Sequence, residues 1–225
     1  MELNADFTVR VVIDSDTLEW QASPMKGVER RMLDRIGDEV ARATTIVRYA
    51  PNSHFSPHTH TGGEEFVVLE GVFQDEHGDF PAGSYVRNPP MSSHRPGSEK
   101  GCVIFVKLRQ FAPEDRTQVM IDTNKMEPVA AANRAGVSIV PLFHDLRETV
   151  RIEFWAADTE VDLDLPDGGE FLVLEGGFED GRDRLGKGGW LRLPVRSRLK
   201  ATAGSKGAKV WMKLRHMPHA GPPDR

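Results

Sequence analysis

The chain repeats itself. Glu65-Phe66-Val67-Val68-Leu69-Glu70-Gly71-Val72-Phe73 returns as Glu170-Phe171-Leu172-Val173-Leu174-Glu175-Gly176-Gly177-Phe178, an offset of 105 positions. The same offset carries Gly83 to Gly188, Tyr85 to Trp190, Arg87 to Arg192 and Pro89 to Pro194. After one inserted residue, Lys107-Leu108-Arg109 returns as Lys213-Leu214-Arg215. Self-similarity over most of a domain-sized stretch implies a duplicated folded unit, and 225 residues suffice for two modest cores. The expected division is a first domain over 1–112, a linker over 113–135, a second domain over 136–216 and a loose tail over 217–225.

The repeated unit reads as all-β. Segments 9–13, 28–33, 43–49, 84–87 and 101–109 are rich in β-branched and aromatic residues and are separated by Gly, Pro, Asp and Asn. Asp34 to Asp38 and Phe80 to Gly83 read as turns, 14–24 as an irregular arm, and helix is sparse. Many short strands of this kind make a sandwich or barrel.

The densest chemistry lies in His58-Thr59-His60-Thr61-Gly62-Gly63-Glu64-Glu65, with His94 thirty residues beyond Glu64. Histidines at i and i+2 share one face of a strand, which a helix does not permit. Gly62-Gly63 suggests a hairpin that returns the strand opened by Glu64 beside the histidines. Imidazole nitrogens with one carboxylate suit Zn, Fe(II), Mn, Ni or Cu(II) better than Ca or Mg. The plain alternative is a polar surface loop; Glu64 and His94 at this spacing favour metal. Glu65 becomes reachable if the turn shifts by one residue.

His58-x-His60-x3-Glu64-x6-Gly71 resembles the first motif of the cupins, and Pro81-x-Gly83 followed by His94 resembles the second, with a longer interval than usual. Over about residues 25–110 the wording is similar to the cupin domain of ChrR-type anti-sigma factors. The resemblance implies two tandem jelly-roll β-barrels, a bicupin, with His58, His60, Glu64 and His94 as ligands of a divalent transition metal. Zinc is the first expectation, with Fe, Ni or Mn as alternatives, and Glu65 is then a neighbour rather than a ligand.

The repeat offset places Leu163, Leu165, Gly169 and Leu199 where the first half has His58, His60, Glu64 and His94. Leucine offers no lone pair, so the second half is expected to be a packed copy without metal, the alternative being an apolar ligand pocket.

Other residues carry two readings each. Cys102, Ile104 and Val106 share a strand face expected to point inward, so Cys102 is either a redox-sensitive thiol or a buried small hydrophobe. Arg48, Phe66 and Cys102 are taken as ligand-pocket candidates, and Tyr49 and Arg87 as residues of the barrel mouth. Arg87 has Arg192 as its repeat mate, which argues for structure instead. His54 and His77 read as loop and turn residues, and His216 and His219 lie too near the tail to be ligands.

A formal net charge of −5 argues against non-specific nucleic-acid binding. No signal peptide or membrane span is legible, and a single cysteine, Cys102, fits a reducing compartment. The expectation is a cytoplasmic protein that binds a small molecule and forms a homodimer.

Two functions follow from the resemblance. The first is a sensor of stress or small molecules that regulates transcription as anti-sigma factors do. Direct sigma-factor binding is not expected, because the residues before the barrel provide neither the length nor the cysteine of a zinc-binding anti-sigma domain. The second is a non-haem metal-dependent dioxygenase cleaving diketones or hydroxylated aromatic ketones. Nucleophile triads and glycine-rich phosphate loops are absent from the sequence.

Overall fold

A computed structural model describes residues 1–38 and 40–221. It is all-β: its only helices among the described residues are three short 3₁₀ turns, the last over Met217–His219. Among the described residues no helix is long and apolar enough to cross a membrane. The chain divides into two compact units, one built from Met1–Ala5 and Leu18–Lys125, the other from Asp6–Thr17 and Met126–Ala220.

In the first unit, neighbouring strands of the main sheet run Val28–Ile36, Arg42–Tyr49, Cys102–Leu108, Glu64–Asp75, Ser84–Asn88 and Val119–Asp122. In the second they run Val137–His144, Thr149–Trp155, Ser197–Leu214, Gly169–Glu179, Gly189–Leu193 and Val11–Asp14. The order corresponds strand for strand. Period-2 alternation assigns the faces. Thr45, Val47 and Tyr49 lie opposite Val106, Ile104 and Cys102, and Val47, Ile104, Val106 and Cys102 join Phe66, Val68 and Phe73 in one apolar core. The second core centres on Trp155, Phe171, Leu191, Leu199 and Met212. Burial of each such side chain contributes roughly 1.5–3 kcal/mol before the entropy of ordering it is subtracted.

Three expectations need correction. Segment 113–135 is not a bare linker: it holds the strands Val119–Asp122 and Val129–Ala130. Val11–Asp14, expected in the first domain, pairs with Gly189–Leu193 of the second unit, while Val119–Asp122 pairs with Ser84–Asn88 of the first. These edge strands are themselves related, Val11-Val12-Ile13-Asp14-Ser15 resembling Val119-Met120-Ile121-Asp122-Thr123. Their registers agree too, Val11 lying opposite Arg192 and Val119 opposite Arg87. Each arm therefore precedes one barrel in sequence and completes the other.

The expected hairpin also fails. His58–His60 pairs with Ser92–His94 rather than with the strand beginning at Glu64. Gly62-Gly63 does lie in a turn, the Gly63 N–H donating to the His60 carbonyl at 3.3 Å, but that turn makes no hairpin. The glycines also answer a close approach: a Cβ on Gly62 would lie 2.6 Å from Arg109 and one on Gly63, at φ +76°, 2.4 Å from the Phe111 ring. Thirdly, the tail begins ordered, for Met217 is buried and His216 Nε2 lies 3.1 Å from Glu170; positions 222–225 lie outside the described residues.

Candidate metal centre

The antiparallel pairing of His58 with His94 and of His60 with Ser92 sets three imidazoles side by side. Ring centroids of His58, His60 and His94 are 4.7–5.0 Å apart, and one ring nitrogen from each falls within 4.8 Å of the other two. Glu64, the first residue of the adjoining strand, places Oε2 at 3.4 Å from His60 Nε2 and 3.7 Å from His94 Nε2. Asn88, opposite Glu64 in the sheet, donates to that same oxygen over 3.3 Å.

Alternation settles the two glutamates. Glu64 shares the inner face with Phe66 and Val68, whereas Glu65 points the other way and accepts a hydrogen bond from the Tyr85 hydroxyl at 2.8 Å. Glu65 is also flanked by Arg87 and Lys107, its neighbours in the sheet, and all three are buried. Arg87 is held by Asp115 Oδ2 at 2.6 Å, by the Thr117 carbonyl at 3.0 Å and by the Phe111 ring. It is a structural cation, as its repeat mate suggested.

Do these residues suit a metal ion? His60 Nε2 is buried and makes no hydrogen bond, a state that costs free energy unless something accepts its lone pair or proton. Burial holds His60 below the ordinary imidazole range, assisted by its two histidine neighbours, so it stays neutral and able to ligate. For His94, burial pulls the same way, but the Asp75 hydrogen bond and the charges of Glu64 and Asp75 outweigh it and raise the value. Asp75 Oδ2 sits 3.1 Å from His94 Nδ1. That bond commits Nδ1 and leaves Nε2 facing Glu64, the carboxylate–histidine arrangement that orients metal ligands. The donor set fits a divalent transition metal.

His58, His60 and Glu64 line a cavity of about 420 Å³, with His94 buried behind them. Its walls include Val28, Val47, Tyr49, Ile104 and Val106, together with Arg30, Arg35 and Arg109. Burial, reinforced by the Glu64 carboxylate, keeps the Tyr49 phenol protonated. Of the pocket candidates taken from sequence, Arg48, Phe66 and Cys102 do not line this cavity. Arg48 points to the opposite face from Tyr49, where it binds Glu29 and stacks over Trp20. Phe66 is packed deeper in the core, and Cys102 is a buried thiol pushed up to about 11 by burial. His54 and His77 lie on the exposed side of the chain. Asp75 and the cavity arginines were missed by sequence reasoning, since nothing local distinguishes them from surface charges.

In the second unit the counterparts pair in the same register, Leu163 opposite Leu199. Leu165 and Leu199 are buried in the core with Leu163 packed against it, and a Cβ on Gly169 would lie 2.8 Å from Leu214.

Residues 8–112 match the family model described as ChrR cupin-like domain. No curated protein sequence matches the chain. Among solved structures, a protein from Nostoc punctiforme proposed to be a dioxygenase superposes with a TM-score of 0.79 at 16% identity, covering 92% of this chain and 82% of that one. Protein YlbA of E. coli gives 0.70 at 15% identity over 94% and 93%. An oxalate decarboxylase from Lactobacillus farciminis gives 0.63 at 9% identity over 92% and 86%. The fold is that of the cupins.

Proposed function

We propose that the protein is a bicupin in which the first barrel binds one divalent transition metal through His58, His60, Glu64 and His94, and acts as a metal-dependent dioxygenase on diketones or hydroxylated aromatic ketones. The observation that carries this reading is that His58, His60 and Glu64 of the cluster line a cavity of about 420 Å³. Structural metal sites are closed, whereas catalytic ones keep a position for substrate. The bound metal would supply Lewis-acid activation of the dicarbonyl and access to O2. The chain supplies the rest: Glu64 and the three imidazoles hold the centre, Asp75 orients His94, and the apolar wall excludes bulk water. Cleaving a C–C bond with both atoms of O2 entering the products needs no external reductant.

The decisive experiment is oxygen uptake by Fe(II)-loaded protein with acetylacetone as substrate. Stoichiometric O2 consumption is expected, abolished by His58→Ala. Zinc held through purification, with no uptake from any metal form, favours the second reading, a small-molecule-sensing regulator. The family-model match over residues 8–112 supports that reading. In both readings the second barrel is a packed copy that stabilises the chain.

A further inference from the structure

The cavity beside the metal cluster is cationic although the chain is not. Three arginines, Arg30, Arg35 and Arg109, line it against a single carboxylate, Glu64, in a protein of net charge −5. Arg30 reaches the inner face by simple alternation: Val28 and Arg30 lie opposite Tyr49 and Val47. Arg35 would fall on the outer face with Arg31 but for the β-bulge between Met32 and Asp34, which reverses the parity and sets Arg35 opposite Ala43. Bulges recur where a side chain must be re-aimed beside a site.

Neither arginine forms an ion pair with a carboxylate among the described residues; the Asp38 carboxylate, which feels the charge of Arg35, is itself bound to the N-terminal amine at 2.6 Å. Arg30 donates to the Ser23 hydroxyl and Arg35 to the backbone carbonyls of Gly37 and Asp38. By contrast Arg10, Arg42, Arg48, Arg87, Arg134 and Arg198 each face an acid. Burial, and then the charge of Arg35, holds Arg30 below the ordinary guanidinium value, so an anion between the two would relieve a repulsion. The second unit sharpens the point. Its register sets Val137 opposite Trp155 and Ile139 opposite Glu153, so Ile139 stands where Arg30 does and packs on the apolar core. His144 stands where Arg35 does and meets Thr149. Where the metal ligands disappear, this arginine pair disappears with them.

We infer that Arg30 and Arg35 form an anion subsite of the metal cavity, so that the preferred ligand is a dicarbonyl bearing a carboxylate rather than a neutral diketone. This rests on the reading of the first barrel as a metal site for dicarbonyls. Val28, Val47, Ile104 and Val106 receive the carbon skeleton, and the low-dielectric walls concentrate the arginine field on the anion. A planar guanidinium suits a planar carboxylate.

The test compares acetylacetone with acetylpyruvate, the same β-diketone with one terminal methyl replaced by a carboxylate, by anaerobic calorimetry on zinc-loaded protein. Acetylpyruvate should bind at least about tenfold more tightly, as a charge-assisted pair predicts. Arg30→Met should remove that preference while metal content and acetylacetone affinity stay unchanged; Arg30→Lys, which keeps the charge, should retain part of it and guards against misfolding of the first variant. Equal affinities in the unmodified protein, or an undiminished preference in the Arg30→Met/Arg35→Met double variant, would overturn the anion subsite and leave the metal reading standing. Failure of metal-loaded protein to bind either diketone would overturn both.

Discussion

The two compact units share one strand order and differ at one end. Glu65, Arg87 and Lys107 form a buried charged row across three strands of the first, and Glu170, Arg192 and Lys213 repeat it in the second. Phe111 caps Arg87 at 4.1 Å and Phe7 caps Arg192 at 4.1 Å. His58, His60, Glu64 and His94, by contrast, have become Leu163, Leu165, Gly169 and Leu199, and Arg30 has become Ile139. On the proposed reading, what both units keep serves the fold, and what only the first keeps serves the ligand. A buried charged row is costly to assemble but more costly to break, because a lone buried charge remains. A polar barrel mouth without its ligand is costly as well, and apolar residues remove that cost.

Breaking the shared feature should therefore hurt most. Arg87→Met leaves Asp115 and Glu65 short of a cation and is expected to destabilise by about 3–5 kcal/mol, with Arg192→Met producing a loss of similar size; denaturant titration measures both. A loss below about 1 kcal/mol in either would mean the row is not structural. The differing end should give opposite signatures at one equivalent position. Leu199→Ala opens a cavity in a packed core and is expected to cost about 2–5 kcal/mol while metal content stays unchanged. His94→Ala should remove metal altogether, and because it leaves Asp75 without its partner it should also cost the metal-free protein about 1–3 kcal/mol.

Smaller effects refine the metal side. Asp75→Asn keeps the shape but weakens the bond that orients His94, and metal affinity should fall about 10–100-fold. Protons compete with the metal for the imidazoles. Because His94 is raised and His60 lowered, occupancy should begin to fail as pH drops through the range of His94, while His60 is still neutral. In the metal-free protein the signs are separate. The raised His94 contributes stability that is present at acid pH and lost as pH rises through its folded value. The lowered Asp75 contributes stability that is present above the ordinary carboxyl value and lost as pH falls through its own. Because Asp75→Asn also relieves the proton competition at His94, its loss of affinity should be largest near neutral pH and narrow as pH falls through the range of His94, which chelator competition across a pH series will show.

Much of this contrast was legible in the sequence. The 105-residue offset anticipated the matching strand order of the two units, and it placed Leu163, Leu165 and Leu199 at positions that the structure packs in or against the second core. The inward face of Cys102, Ile104 and Val106 followed from period-2 alternation. What could not be read was which edge each short arm completes, since Val11–Asp14 and Val119–Asp122 carry nearly the same residues. A four-residue strand does not encode its partner. The bulge between Met32 and Asp34 hid Arg35 for a related reason, since one extra residue reverses every later face. Gly62-Gly63 misled because a glycine turn does not encode which strands it joins: the turn is present, but the strand it leads from pairs with Ser92–His94, and the same glycines also admit Arg109 and Phe111.

The central claim, one metal in the first barrel and none in the second, is tested most directly by counting metal per chain in protein purified without added metal and then equilibrated with a single divalent ion. The account predicts one equivalent, lost entirely in His58→Ala/His60→Ala and unchanged in Leu163→Ala/Leu165→Ala. Two equivalents, or one that survives loss of both histidines, would contradict it.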